Sequence, residues 1–354
     1  MRNEKASSSP SSSRPLSPAL SQQEREIAGP SLGGPTNSDL VCAVDLGGTN
    51  LRAANIDRDG RIHERVRIPT PGSKPASEVV SAIAAAVREC EVGSLTRGAH
   101  AGNVSVVIPG SVHVETGVVF NAPNIPSLQG FELAPALERA LGRPVLLEND
   151  ANAAALGEMW RGAARGYQTI LCLTLGTGVG GGVILDGKLW RGADGTAGEI
   201  GHTTVDPFSD VKCKCGNNGC LEVYASATAI VRMTREALAE HPSSLLHSTT
   251  TDDLTSEKVF RAASAGDERA LQVFQRMGVY LGIAMANLIN IFNPEMIVIG
   301  GGVSAAWELF AGHARAEVMK RAFPVPAQRS KIVRAECGDD AGLIGAAWLA
   351  FGVR

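Results

Sequence analysis

No stretch of this 354-residue chain approaches the roughly 20 consecutive apolar residues that a membrane span needs. Arg2 and Lys5 are followed by Ser7–Pro10 and Ser11–Pro15 with no apolar core, so the N-terminus does not read as a secretory signal. Basic surplus is also missing. Thirty-three Lys and Arg against 36 Asp and Glu leave a net charge of −3, which excludes a general nucleic-acid binder. No G-x-x-x-x-G-K-[ST] occurs, so the chain is not a P-loop protein. Gly176-Thr177-Gly178-Val179-Gly180-Gly181 matches the letters of a dinucleotide fingerprint, but that fingerprint requires a helix to start there. Gly182-Val183-Ile184-Leu185-Asp186-Gly187 continues instead as a β-run into a turn. These absences leave a cytoplasmic protein that contacts neither membrane nor nucleic acid.

What is present is ordinary for a soluble enzyme with many tight turns: 44% hydrophobic residues and 40 Gly, in a chain long enough for two α/β lobes. Residues 1 to about 38 are rich in Ser and Pro and nearly free of aromatic or β-branched side chains. Such a segment cannot bury enough apolar area to offset its ordering entropy, so it reads as a disordered tail. It is also too short and Pro-rich for a helix-turn-helix. Of the seven Cys, Cys42, Cys90, Cys172 and Cys337 are scattered and read as buried reduced thiols.

Order begins with an apolar run, Leu40–Asp45, that enters Gly47-Gly48-Thr49. Strands follow at Leu51–Ile56 and Arg61–Ile68, joined through the hairpin signal Asp59-Gly60. A helix over Ser77–Val92, a strand Val104–Ile108 ending at Pro109-Gly110, and a strand Val145–Leu147 come next. The last of these delivers Asn149-Asp150 to an Ala-rich helix. Thr169–Leu175 and Gly181–Leu185 read as strands around a second Gly-rich turn. The chain then turns helical through Asn293, and Met296–Ile299 precedes Gly300-Gly301-Gly302 and a helix from about Ala305. Lys331–Ala335 and a helix Ala341–Phe351 close it. Val41–Ile56 and Ile170–Leu185 share one plan of strand, Gly/Thr turn and strand, with Gly47 and Gly176 in equivalent places. This repeat predicts a duplicated α/β fold with a cleft between its halves.

Two Gly/Thr turns in corresponding places point to phosphate binding, because glycine lets backbone N–H groups approach phosphate oxygens and threonine adds a donor. Asp150, between strand and helix, suits a helix N-cap; it equally suits a general base that takes a proton from an attacking hydroxyl. His202 with Cys213, Cys215 and Cys220 makes a Cys3His zinc set. Gly216, Gly219, Lys212 and Lys214 make the stretch too polar for a core. Four protein ligands leave no site for a water nucleophile, which excludes a zinc hydrolase and makes the metal a staple. Glu199 and Glu222 bracket that set, either as plain loop acids or as parts of a polar site.

Together these motifs resemble the ROK family of sugar kinases and sugar-sensing repressors, within the actin/hexokinase-like fold (ribonuclease H-like). The matching residues are Asp45-Leu46-Gly47-Gly48-Thr49-Asn50, Pro109-Gly110, Glu148-Asn149-Asp150-Ala151-Asn152, Leu175–Gly182, Gly198-Glu199-Ile200-Gly201-His202 and Cys213–Glu222, and the resemblance spans about residues 40 to 354. It implies a two-lobed protein with duplicated βββαβα-type domains: a small lobe over 39–148 on which the C-terminal helix 341–354 packs, and a large lobe over 149–340 with a zinc loop at 202–220. It implies ATP and a hexose as partners, Mg²⁺ with the ATP, structural Zn²⁺, and a homodimer. Asp150 becomes the catalytic base. Asn149, Glu199, His202 and Glu222, with Gly110 and Asn124 from the small lobe, contact the sugar. Asp45, Gly47, Gly48, Thr49, Asn50, Gly176, Thr177, Gly178 and Gly181 hold the phosphates, and Gly300, Gly301 and Gly302 lie near the adenosine. Intact phosphate turns and a Ser/Pro tail in place of a DNA-binding domain favour a kinase over a regulator. The turn and the Glu-x-Gly-His run favour glucokinase, with N-acetylmannosamine, N-acetylglucosamine, fructose and allose as alternative sugars and polyphosphate as an alternative donor. One departure is Phe131, where many relatives carry Trp.

Overall fold

A computed structural model of the chain describes residues 40–95, 101–240, 244–247, 249–250 and 253–352, so the Ser/Pro-rich segment 1–38 and the last two residues lie outside the described residues. The first half runs β1 (Leu40–Leu46), β2 (Asn50–Asp57), β3 (Ile62–Pro69), α1 (Ala76–Leu95), β4 (Ala101–Ile108), β5 (Ser111–His113), β6 (Val118–Asn121), α2 (Leu133–Leu141) and β7 (Val145–Asn149). The second half begins with α3 (Asp150–Arg161), β8 (Ile170–Leu175), β9 (Val179–Leu185) and β10 (Lys188–Leu189). Helices α4 (Glu222–Ala225), α5 (Ala227–Glu240), α6 (Ser256–Ser264) and α7 (Glu268–Phe292) follow, then β11 (Met296–Gly300), α8 (Trp307–Arg321), α9 (Pro324–Arg329), β12 (Lys331–Arg334) and α10 (Ala341–Ala350).

The internal repeat becomes two sheets of one design, ordered β3-β2-β1-β4-β7 and β10-β9-β8-β11-β12. In each, an antiparallel hairpin carries the Gly/Thr turn, and parallel strands continue on the other side of the first strand. The two-lobed actin/hexokinase-like fold expected from the motifs is therefore the fold observed. Both central strands are covered on both faces, which is why they read as unbroken apolar runs rather than alternating ones. Successive β1 side chains point oppositely. Cys42, Val44 and Leu46 meet Val79, Ile83 and Val87 of α1 and Leu133 and Leu137 of α2, whereas Val41 and Ala43 meet Leu343, Ala346 and Ala347 of α10. On β8 the same rule sends Leu171, Leu173 and Leu175 to the helices of the second half, and Ile170 and Cys172 to Leu156 and Met159 of α3 and Trp348 of α10. Each fully buried Val, Leu and Ile among these contributes about 1.5–3 kcal/mol over exposure.

Helices α3 and α10 thus lie between the sheets, back to back. Their approach is set by glycine: a Cβ on Gly345 would fall 1.7 Å from Ala153 O, and one on Gly157 2.3 Å from Ala341 O. Cys42 and Cys172, in the apolar runs, and Cys90 on α1 are buried free thiols, whereas Cys337, expected to be buried, is only partly so. Several features differ from the sequence reading. The hairpin β5–β6, helix α2, the short strand β10 and helix α9 are additional, and the helix expected from about Ala305 starts as a 3-10 turn over Gly302–Ala306 before α8 begins at Trp307.

Candidate functional site

Asp150 is the first residue of α3, held where β7 ends. The cap is not its own. Asn149, in extended conformation, accepts the N–H groups of Ala151 (2.9 Å) and Asn152 (3.0 Å) on Oδ1. Its Nδ2 donates to Gly110 O at 2.8 Å and to Asp150 Oδ1 at 3.2 Å. Asp150 is therefore not the N-cap, and Asn149, expected on a sugar hydroxyl, here accepts from the helix on its oxygen and donates to its neighbours from its amide. Gly110 has φ +121 and packs a hydrogen where a Cβ would meet Asn121 O at 2.0 Å, so its contribution is a backbone carbonyl that orients Asn149.

The Asp150 carboxyl is pushed up to about 7, first by desolvation and then by the negative charge of Asp45, with a smaller push from Glu199; the Ala151 N–H, 2.8 Å from Oδ1, works the other way. Asp45 itself stands at the buried end of β1, opposite Arg52 on β2, and hydrogen-bonds that guanidinium. Burial raises its pKa, and Arg52 offsets part of the rise. Asp45 and Glu199 both lie within electrostatic reach of Asp150. Such a group suits a cation-accompanied substrate.

The first Gly/Thr turn closes by Gly47 N–H donating to Asn50 O at 2.9 Å, with Thr70 Oγ1 donating to Gly47 O at 2.6 Å and Thr49 O accepting Thr70 N–H at 2.9 Å. Gly48 lies against Asn124, whose Cβ would be 3.0 Å from a Cβ on that glycine, so the turn and Asn124 are brought together. The second turn closes by Gly176 N–H donating to Gly178 O at 2.9 Å, and Thr228 Oγ1 donates to Thr177 O at 2.9 Å. Gly301, with φ +80, reaches the same sheet end, where a Cβ would be 2.4 Å from Leu175 O; Gly300 pairs with Thr174 across β11 and β8, and space around Gly302 is open. Gly181 departs from expectation. It lies buried inside β9, where a Cβ would strike Gly198 O at 2.3 Å and Ile200 at 2.8 Å, so its missing side chain permits the Glu199 loop to lie on the strand.

The zinc set is assembled. The donor atoms of His202, Cys213, Cys215 and Cys220 all lie within 4.8 Å of one another. His202 Nδ1 is 3.4 Å from Cys213 Sγ, and Cys215 Sγ is 3.7 Å from Cys220 Sγ. Tetrahedral zinc with Zn–S near 2.3 Å and Zn–N near 2.05 Å has edges of about 3.6 Å (N–S) and about 3.8 Å (S–S), so the donors fit that ion. Glu222, the first residue of α4, joins this set to the second turn: Oε2 accepts Val179 N–H at 3.1 Å, and Oε1 is 4.0 Å from Cys213 Sγ.

Sequence reasoning missed Glu148, Asn152 and Arg191. Glu148 is buried and accepts Asn152 Nδ2 at 2.9 Å and Arg191 Nε at 2.7 Å. An acid ending an apolar strand signals a buried charge that needs a cation, although nothing in the sequence says which one.

Residues 41–352 match the model of the ROK family. A glucokinase of Halalkalibacterium halodurans is 41% identical over 312 residues, covering 86% of this chain and 93% of the relative. One from Thermotoga maritima is 40% identical over 309 residues, covering 87% and 96%. Among solved structures, a ROK family glucokinase from Streptomyces griseus in complex with glucose and AMPPNP superposes with a TM-score of 0.75 at 35% identity, covering 88% of this chain and 99% of that one.

Proposed function

This chain belongs to the ROK family, and from that premise we propose that it transfers the γ-phosphoryl group of ATP to the 6-hydroxyl of glucose. It is an ATP-dependent hexose kinase. The observation that carries this reading is Asp150, a carboxyl raised to about 7 at a helix N-terminus, in reach of the Asp45 turn on one lobe and of Glu199 on the other.

A group with that affinity takes a proton readily at neutral pH, which is what a hydroxyl loses as it attacks phosphorus. Oδ1 is held by Ala151 N–H and Asn149 Nδ2, so Oδ2 is the oxygen that receives the proton. Backbone N–H groups of the two turns, other than those of Gly47 and Gly176 that close them, hold phosphate oxygens, with Thr49 and Thr177 adding hydroxyls. Gly300–Gly302 border the adenosine side. Mg²⁺ bound with ATP supplies charge neutralisation, and Asp45 is the acid placed to face it. Glu199, His202 and Glu222 accept sugar hydroxyls, Asn124 and the Gly110 backbone flank them, and Asn149 orients Asp150 from behind. His202, Cys213, Cys215 and Cys220 would hold Zn²⁺, which supplies fixed geometry and no open coordination site. The lobes divide at 39–148 with 341–354, and 149–340.

No helix among the described residues is long and apolar enough to cross a membrane, and the substrates are those of the cytoplasm. A homodimer is the expected assembly, read by sedimentation. ADP release with Mg-ATP and a hexose panel tests the activity: glucose should give the highest kcat/KM. Another preferred hexose would revise the sugar, and no release with any would point to a non-catalytic sensor.

A further inference from the structure

Glu148 takes no part in the chemistry assigned above, yet its carboxylate is buried at 1% side-chain exposure and fully engaged. Oε1 accepts Asn149 N–H at 3.1 Å and Asn152 Nδ2 at 2.9 Å, both in the junction that presents Asp150. Oε2 takes Nε and an Nη of Arg191, each at 2.7 Å. Arg191 opens the loop leading to Glu199, and its carbonyl accepts Ala197 N–H at 3.0 Å, closing residues 191–197 into a ring. Gly198, with φ +93, then lies on Gly181 and hands the chain to Glu199. Asn152 Oδ1 is buried without a partner, 3.9 Å from where a Cβ on Gly198 would be, so an uncompensated acceptor is also kept against this loop.

We propose that Glu148 and Arg191 are positioning residues that lock the Glu199 loop to the N-terminus of α3, making sugar affinity depend on an ion pair whose carboxylate is buried. This rests on the kinase reading. One carboxylate fixes both the base and the hydroxyl acceptor, so their separation is set by a single side chain. Arginine is required because two donors in a rigid fork meet the carboxylate; lysine offers a point charge that leaves one contact unmade. Removing the cation altogether strands a buried anion, a larger disturbance than loosening the loop.

The test uses the zinc-loaded enzyme. Arg191→Lys should raise KM for glucose about tenfold or more, with KM for ATP and kcat within about threefold of the parent. Glu148→Gln, which also loosens the Asn149 anchor, should raise KM for glucose and lower kcat together. If Glu148→Gln folds poorly, Glu148→Gln with Arg191→Met removes the stranded charge, and its glucose KM should be no worse than that of the weaker single variant. A melting temperature that falls while glucose KM stays within twofold, or an equal rise in KM for ATP, overturns the proposal. Calorimetric titration with glucose reads the same ratio without turnover, so a parent that binds glucose but releases no ADP overturns the kinase reading and leaves this comparison intact.

Discussion

Glu199 and His202 face each other across 3.9 Å, carboxylate Oε2 to imidazole Nε2, while the other ring nitrogen, Nδ1, is 3.4 Å from Cys213 Sγ. The imidazole therefore has one nitrogen in the zinc set and one beside the acid assigned to the sugar. A metal on Nδ1 fixes the ring, and the ring then fixes where Nε2 can meet a hydroxyl.

Zinc removal should consequently abolish sugar affinity before it unfolds the protein. The loop has a second anchor that needs no metal: the hydroxyls of Tyr224 and Tyr280 both donate to Asp206 Oδ2 at 2.9 Å, which ties it to α4 and α7. Titrating a chelator while following glucose binding and circular dichroism should show affinity falling at least 30-fold with helix content unchanged. Sugar affinity that survives complete zinc loss would make the metal a purely structural staple.

The pH dependence follows from Asp150. Its carboxyl titrates at about 7 and must be ionised to act as base, so kcat/KM should fall about tenfold per pH unit below that value. A profile measured from pH 5.5 to 8.5 with both substrates below saturation reports the free enzyme. A flat profile over that range would remove Asp150 from the role.

Asp150→Asn should lose turnover by several orders of magnitude and still bind zinc and glucose. It should also gain stability at high pH. A carboxyl raised from 3.8 to about 7 in the fold contributes stability that is complete below 3.8 and is lost as pH rises through 7. The neutral amide escapes that loss, so its melting temperature should exceed the parent's by about 5–10 °C at pH 8 and by about 0 °C near pH 3.5. Parallel calorimetric scans at the two pH values decide it.

Part of this arrangement is legible in the sequence, and the boundary has physical causes. The strand–Gly/Thr turn–strand repeat could be read because both central strands are buried on both faces and so stand out as apolar runs. The Cys3His set could be read because its donors lie within 19 residues of chain. Hairpin β5–β6 was invisible: strands of three and four residues carry too few positions for a period of two to register. The cap exchange between Asn149 and Asp150 could not be foreseen, because either side chain satisfies the same N–H groups. Glu148 and Arg191 are 43 residues apart, and only the fold brings them together.

Glu158 is another buried acid, one whose removal should cost stability and nothing else. On α3, its Oε1 accepts Cys337 N–H at 2.8 Å, and Oε2 accepts Ala163 N–H at 2.9 Å and Glu336 N–H at 3.1 Å. In Glu158→Gln, either orientation of the amide turns an NH2 toward at least one of those donors, stranding it at about 1–3 kcal/mol. Denaturant unfolding should report that loss, with both KM values unchanged. Unchanged stability would show that the 336–337 segment finds other partners.

The last prediction concerns the end of α10 that meets Asp45. A Cβ on Gly342 would be 3.3 Å from Asp45 Oδ2 and 3.8 Å from Val107, a contact tight enough to displace the carboxylate by a few tenths of an ångström without a backbone clash. Gly345 on the same helix offers no such tolerance, with Ala153 O at 1.7 Å from its would-be Cβ, so the two glycines separate a local effect from a global one. Gly342→Ala should fold normally and raise KM for Mg-ATP about three- to tenfold, because Asp45 then aims away from the first turn, while KM for glucose stays within twofold. Gly345→Ala should spread α3 from α10 and lower the melting temperature by several degrees or prevent folding. Steady-state kinetics of the first and thermal scans of both decide the matter, and a Gly342→Ala enzyme with parental KM for Mg-ATP would show that Asp45 does not face the nucleotide.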